Sequence, residues 1–329
     1  MNSEKQVGII GLGMYVPDQV VTNHDMEKIV ETSDEWIVTR SGIKERRKAA
    51  PDQATSDLDA EAGRRALENA GIGPEDLDGI ICATFTPDHL CPSTACIVQD
   101  KLGAKNAFAF DISAACSGFV YGLNVAKGLI LSETYRTIMV IGGETMSRFT
   151  DYQDRGTCVL FGDGAGCAIL QADAPRGRLL HSYMGSDGSM ARHIIIPAGG
   201  SRRPPSKETL EERKHFIYME GNEVFKFAVR ILAHSVEEAL KRSGHKVEEV
   251  SLIIPHQANY RILESAAKKM GLPPEKMYNN IAYYGNTSAG TVPIALTEAV
   301  QKGAVKPGDV IALVAFGGGM TWGSIVIEW

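Results

Sequence analysis

The segment Ala66-Leu67-Glu68-Asn69-Ala70-Gly71, with Leu77 and Ile80-Ile81 beyond it, returns 173 positions later as Ala239-Leu240-Lys241-Arg242-Ser243-Gly244, Val250 and Ile253-Ile254. Each copy reads as a helix stopped by glycine and followed by a short buried strand. Leu102-Gly103 is answered by Met270-Gly271, Gly118 by Gly290, and Gly142-Gly143 by Gly317-Gly318, at offsets of 168, 172 and 175. The order helix, strand, helix, strand, helix, strand holds in both halves. This predicts a duplicated α/β unit, residues 1–173 and 174–329, each half a mixed sheet with helices. The two halves should pack about a pseudo-twofold axis.

The composition suits that architecture. A chain of 329 residues accommodates one large domain or two fused ones, and 44% hydrophobic residues supply a sizeable core. A formal charge of -6 argues against nucleic acid or an anionic membrane as the main partner. The start, Met1 to Ile10, lacks a basic stretch followed by a sustained apolar run, and no apolar run is long enough to span a bilayer. A cytoplasmic protein with reduced thiols is therefore expected. Its six cysteines (Cys82, Cys91, Cys96, Cys116, Cys158 and Cys167) show no C-x-x-C spacing, so no zinc site or redox motif is signalled.

Duplication also places a site, because ligands of open α/β sheets bind beyond the carboxyl ends of the strands. One such end is Phe108-Ala109-Phe110-Asp111-Ile112-Ser113-Ala114-Ala115-Cys116-Ser117-Gly118, an apolar strand running into a turn of very small residues. An amphipathic helix opens after it. A sulfur held at a helix N-terminus is favoured as thiolate by backbone N–H groups and the helix dipole. A buried structural thiol is the other reading of Cys116.

In the second half the corresponding ends are Pro255-His256-Gln257-Ala258-Asn259, Gly285-Asn286-Thr287-Ser288 and Ala315-Phe316-Gly317-Gly318-Gly319. Taken singly, His256 reads as structural, Asn286 as a turn residue and the glycines as a packing device. Together they bring a thiol, an imidazole, an amide and backbone donors to one place. That set suits acyl transfer through a thioester intermediate, with an oxyanion hole and donors able to hold an enolate. A papain-like protease also uses Cys, His and Asn, but its fold and cysteine context differ.

Other stretches have plainer readings. Gly11-Leu12-Gly13 lacks the third glycine of a dinucleotide fingerprint, and Pro17 follows where a helix should open. Phe161-Gly162-Asp163-Gly164-Ala165-Gly166 reads as a tight turn between two strands, with phosphate binding as the alternative. Residues 199–214, opening Gly199-Gly200-Ser201-Arg202-Arg203-Pro204-Pro205, form the one clear composition break and read as a surface excursion or lid.

These residues carry a resemblance. Thr32-Ser33-Asp34-Glu35-Trp36-Ile37, the Cys116 turn, Asp154-Arg155-Gly156-Thr157, the glycine run at 161–166, Gly221-Asn222-Glu223-Val224-Phe225-Lys226 and the three second-half strand ends together resemble β-ketoacyl-acyl-carrier-protein synthase III. This is the thiolase-fold family that starts type II fatty-acid synthesis, and the match is essentially full length. The resemblance implies a layered αβαβα fold, a homodimer, and no bound cofactor or metal.

It also implies a ping-pong condensation of an acyl-CoA with malonyl-acyl-carrier protein. Cys116 would take the acyl group. His256 and Asn286 would hold the malonyl thioester oxygen as the enolate forms, with Phe316 screening the carboxylate. The N–H groups of Cys116 and Gly318 would form the oxyanion hole. Trp36, Arg40 and Arg155 match positions that grip the CoA nucleotide, and Phe225, Ala258 and Asn259 would line the pantetheine tunnel. Cys91 and Phe161 would border the acyl pocket.

Docking of an acidic carrier protein would fall to Lys226, Arg261, Lys268 and Lys269, with Arg230 at helical spacing from Lys226. Ordinary solvated helix faces are the alternative. Two departures leave the primer open: Cys91 stands where relatives often carry a bulkier residue reaching into the partner's acyl pocket, and the excursion at 199–214 is long. The rivals are a same-fold condensing enzyme or acyltransferase of secondary metabolism and a non-catalytic acyl-CoA-binding protein.

Overall fold

The computed structural model describes residues 6–329, so the first five residues, part of the start read above for a leader, lie outside the described residues. The first half supplies strands β1 (Val7–Tyr15), β2 (Gly79–Ala83), β3 (Phe108–Ile112), β4 (Thr137–Thr145) and β5 (Asp163–Ala172). The second supplies β6 (Arg178–Ser186), β7 (Leu252–Pro255), β8 (Val310–Gly317) and β9 (Thr321–Glu328). All nine join in the order β7-β8-β9-β6-β1-β5-β4-β2-β3.

From the middle outward, β1-β5-β4-β2-β3 is matched by β6-β9-β8-β7. A parallel bridge between Ile253 and Met277 stands where the fifth strand of the second half would lie. The inner pairs of each half are antiparallel and the outer pairs parallel. Each half is thus a mixed sheet, and the two are joined edge to edge through the pairing of Gly8 with Arg178.

Six helices complete the layers: α1 (Thr55–Ala70), α2 (Thr94–Leu102), α3 (Gly118–Leu131), α4 (Gly221–Ser243), α5 (Tyr260–Lys269) and α6 (Thr291–Gln301). Side chains alternate across each strand and so sort between layers. Ile81, Ile138 and Val140 join Ile254, Leu313 and Ala315 in a central core with Phe119 and Leu123 of α3 and Val292 and Leu296 of α6. Their neighbours Ile80, Cys82, Met139 and Ile141 turn outward to α1 and α2. Ile253, Ala312 and Val314 turn outward to α4 and α5. The result is five layers, αβαβα. The recurring glycines Gly71, Gly103, Gly244 and Gly271 stand at the matching helix ends in the left-handed region, with φ of 69°, 72°, 77° and 68°.

The glycine run at 161–166 is not a turn between two strands. Asp163 to Gly166 open β5 itself, and Cys158 lies in a short helix, Arg155–Cys158. Gly164 and Gly166 are there because α6 crosses directly over the strand: a Cβ on Gly166 would sit 2.6 Å from the Ile294 nitrogen. The excursion at 199–214 holds a short helix, Lys207–Glu211, is braced internally by the ion pair of Arg203 with Glu212, and is tied to the body by that of Arg213 with Asp151. No helix among the described residues is long and apolar enough to cross a membrane.

Candidate active site

The strand ends do converge. Cys116, His256, Asn286, Phe316 and Gly318 line the inner part of one cavity of about 800 Å³, with Phe85 and Phe161 also in its wall. Trp36, Arg40, Phe225, Ala258, Asn259 and Arg261 line it too. The segments rooting the excursion, Ile194–Ile196 and Ile217–Met219, close one side, where Ile194–Ile195 pairs with Tyr218–Met219.

Cys116 sits on a single turn of 3₁₀ helix, Ala115–Ser117, that runs straight into α3. The turn is held in strained backbone: Ala115 has φ 46°, and facing it Ser288 has φ 51° and Met320 φ 46°. β8 ends against it so closely that a Cβ on Gly317 would lie 2.5 Å from the Cys116 nitrogen. The Thr321 hydroxyl bridges the two, 3.0 Å from the Ala114 carbonyl oxygen and 3.1 Å from Ser117 Oγ. The Cys116 nitrogen and the end of β8 are therefore in direct contact.

Of the two readings of Cys116, the surroundings favour the protonated thiol over the thiolate. Burial pushes the Cys116 thiol up to about 12, and the nearby Glu144 charge adds to the rise. The Ser288 hydroxyl, 3.2 Å from Sγ, and the backbone N–H pull the other way. A helix dipole is worth at most about 2 kcal/mol, too little to offset loss of hydration around a thiolate. The residue is half-buried and borders the cavity, with desolvation the largest influence on its sulfur.

His256 is buried, its ring packed T-shaped with that of Phe316, 5.3 Å between centroids. Burial pulls it down to about 3, so it is neutral at physiological pH and a weak base. Its Nδ1 lies 2.7 Å from Thr291 Oγ1, and that hydroxyl also lies 2.9 Å from the Ser288 carbonyl oxygen. The carbonyl can only accept, so both contacts are made together when Thr291 donates to Ser288 and its Oγ1 accepts from His256 Nδ1–H. With the hydroxyl turned to His256 instead, the ring carries its proton on Nε2, the tautomer in which the edge away from Thr291 is a donor. The Asn286 side chain is oriented by Oδ1, which accepts the Ser288 N–H at 2.8 Å, so its NH₂ is the end left to the cavity.

At the outer part, Arg155 and Arg40 stack on Trp36, with guanidinium carbons 4.9 and 5.4 Å from a ring centroid. Arg155 itself does not line the cavity. Asn259 caps α5 by accepting the Arg261 N–H at 2.9 Å, and its amide donates to the Arg40 carbonyl oxygen. Arg261 lies over the Phe225 ring at 5.8 Å. Lys226, Lys268 and Lys269 are exposed and outside the lining, and Lys226 pairs with Glu223 at 2.8 Å. Cys91 is exposed and borders no part of this cavity. Sequence reasoning missed Glu144, Thr291 and the roles of Ser288 and the Ile194–Ile196 wall. Only Ser288 lay within one of the strand-end motifs.

Comparison with known proteins identifies the family. Residues 110–188 match the family model of 3-oxoacyl-[acyl-carrier-protein] synthase III, and residues 240–329 match that of its C-terminal part. A β-ketoacyl-[acyl-carrier-protein] synthase III of Caldanaerobacter subterraneus is 55% identical, over 98% of this chain and 97% of its own. The chain belongs to the β-ketoacyl-acyl-carrier-protein synthase III family. The synthase III crystal structure from Aquifex aeolicus superposes with a TM-score of 0.91 at 46% identity, covering 98% of this chain and 100% of that one. The priming β-ketosynthase of the R1128 polyketide pathway superposes with a TM-score of 0.90 at 31% identity, over 99% of this chain and 98% of that one. The synthase III fold and the condensing-enzyme class are thereby shared along the whole chain.

Proposed function

We propose that this chain condenses an acyl-CoA with malonyl-acyl-carrier protein, releasing CO₂ and giving the 3-oxoacyl-carrier protein that initiates fatty-acid synthesis. The observation that carries it is the meeting of Cys116, from one half, with His256, Asn286 and the Gly317–Gly319 turn, from the other, on one cavity. In the first half-reaction the Cys116 sulfur attacks the acyl-CoA thioester, and the tetrahedral oxyanion is taken by the N–H groups of Cys116 and Gly318. CoA leaves. In the second, the malonyl thioester oxygen lies against His256 Nε2–H and the Asn286 NH₂, which hold the enolate as CO₂ departs. A neutral His256 acts there as hydrogen-bond donor. Phe316, packed T-shaped with the ring, keeps that side dry.

Trp36, Arg40 and Arg155 offer an aromatic face and two guanidiniums to the CoA nucleotide. Phe225, Ala258 and Asn259 flank the pantetheine arm, and Phe161 borders the acyl chain. Arg261 at the rim and the exposed Lys226, Lys268 and Lys269 suit an acidic carrier protein. The sheet ends on β3, unpaired on its outer edge, beside an exposed stretch in which Leu90 is 89% accessible. Pairing of two such edges supports a homodimer and would carry Cys91 toward the second copy's cavity. The two halves divide at residue 173.

The test is CO₂ release from malonyl-carrier protein across acyl-CoAs of graded length, with Cys116→Ser and His256→Ala alongside. Condensation with at least one primer, lost in both variants, is expected. No condensation with any primer, or full activity without Cys116, overturns the proposal. The likeness to a polyketide priming enzyme favours a second reading in secondary metabolism, marked by malonyl-CoA replacing malonyl-carrier protein as extender.

A further inference from the structure

His256 is a weak base and its Nδ1 faces Thr291, so the proton of the Cys116 thiol needs another destination. One polar path leads away from the sulfur. Ser288 Oγ lies 3.2 Å from Cys116 Sγ and 3.2 Å from Oε1 of Glu144, a fully buried carboxyl at the end of β4. We propose that Glu144, through the Ser288 hydroxyl, receives the Cys116 proton as acyl-CoA is attacked and returns it when the sulfur is expelled. The inference rests on the acyl-Cys116 reading above and deepens it.

The geometry distinguishes the two oxygens of Glu144. Oε2 accepts from Thr84 Oγ1 at 2.9 Å, from the Thr86 nitrogen at 3.0 Å and from Thr86 Oγ1 at 2.6 Å, which fixes the carboxyl in place. Oε1 keeps only a long contact with the Phe85 nitrogen at 3.4 Å and faces Ser288. Ser288 is held in the left-handed region at φ 51°, an unusual backbone state that sets its hydroxyl between sulfur and carboxylate.

The bookkeeping of protons and charge closes. The S–H bond breaks, its proton passes to Ser288 Oγ, and the Ser288 hydrogen passes to Glu144 Oε1. The sulfur bonds the acyl carbon, and CoA departs as thiolate and takes a proton from water. In condensation the enolate carbon displaces Cys116 as thiolate, which recovers its proton by the reverse path. Overall one proton is consumed, as loss of CO₂ from a carboxylate requires. At no step does the pocket hold more than one negative charge, whereas an ionised Glu144 beside a thiolate would bury two.

The ionisable groups on elements packed around Glu144 are Asp59 on α1, Cys82 on β2, Asp163 on β5 and Cys116 itself. They are acids, and burial raises all four. Burial also lifts Glu144 to about 7, against the pull of its Thr84 and Thr86 hydrogen bonds.

The experiment follows acylation of Cys116 by acyl-CoA, read by intact mass in single turnovers between pH 5.5 and 9. Alkylation of Cys116 by iodoacetamide gives the same profile without substrate. Wild-type rates should rise with pH through about 7, as Glu144 ionises. Glu144→Gln should lose that limb and fall roughly 100-fold at pH 8, the low end of proton-transfer catalysis. Glu144→Asp should recover the limb in part. Ser288→Ala should lose it as fully as Glu144→Gln, and the double variant should be no slower than either single one. Because Glu144→Gln can fail to fold, Ser288→Ala and Glu144→Asp are sufficient by themselves to decide the question. A wild-type limb preserved in Ser288→Ala or Glu144→Gln, or losses that multiply in the double variant, overturns the relay while leaving condensation intact. Absence of any acylation of wild type removes the acyl-enzyme reading and the relay together.

Discussion

Replacing Gly317 by alanine isolates the oxyanion donors from the rest of the site. The residue has φ -165° and ψ -171°, extended backbone open to alanine, so no backbone penalty confounds the change. The new methyl would lie 2.5 Å from the Cys116 nitrogen, where ordinary contact begins at 3.4 Å. One of the two segments must therefore shift by about 0.9 Å. Neither yields alone, because Thr321, which opens β9 paired with Gly317 at the end of β8, bonds the Cys116 turn through its hydroxyl. A displacement of about 1 Å can cost 10²-fold, and loss of one oxyanion donor 10²–10³-fold. We expect acylation of Cys116 to slow by roughly 100-fold, about 2.7 kcal/mol in the barrier. The acyl-CoA concentration at half-saturation should hold. Single-turnover acylation read by mass, with Tm measured beside it, decides the matter. An unchanged acylation rate in a folded Gly317→Ala protein refutes the assignment of these N–H groups as donors.

Three further outcomes follow from the same geometry. Thr291→Val leaves His256 Nδ1 buried without a partner, at a cost of about 1–3 kcal/mol, and should slow CO₂ release at least tenfold while leaving acylation intact. For His256, the folded value near 3 lies below the unfolded 6.5, so the unfolded chain binds the proton first and stability is lost as pH falls through that interval. Glu144, raised from 4.5 to about 7, acts with the opposite sign. In thermal melts, His256→Ala should thus show a shallower fall of Tm than wild type between pH 6.5 and 4, and a parallel fall would contradict its buried neutrality. Trp36→Ala should raise the KM for acyl-CoA about tenfold, yet leave that for an acyl-pantetheine thioester unchanged, since only the former carries the nucleotide.

The duplicated frame was legible because it is written in periodic features. The glycines at 71, 103, 244 and 271 mark helix ends, and Ile80-Ile81 and Ile253-Ile254 mark strands shared between layers. Cys116, His256 and Asn286 were legible because strand ends in such folds gather in one place. The run at 161–166 was misread because a glycine signals either a turn or a close neighbour, and the neighbour, α6, lies more than a hundred residues away. The protonation of Cys116 was left open for a related reason. Proximity to a helix N-terminus is local, but exclusion of water from the sulfur is a property of everything packed around it. Thr291 and Glu144 carried no local signal, being single polar residues whose partners come from distant segments.

The two half-reactions ask opposite things of one cavity. In the proposed reaction, thioester exchange at Cys116 requires a proton to leave the sulfur, and decarboxylation requires donors that hold an enolate without handing it a proton. An imidazolium at His256 would quench the enolate before it reached the acyl group. Burial against Phe316 prevents that by keeping the ring neutral. The same burial takes His256 out of service as base for Cys116, whose thiol it also raises. A dry site therefore separates the tasks in space: neutral donors on the His256 and Asn286 side, and a proton sink on the Ser288 and Glu144 side. Ser288 joins them, because its N–H orients Asn286, its carbonyl oxygen competes for the Thr291 hydroxyl, and its side chain reaches both Cys116 and Glu144. Its strained backbone is what lets one residue face all four.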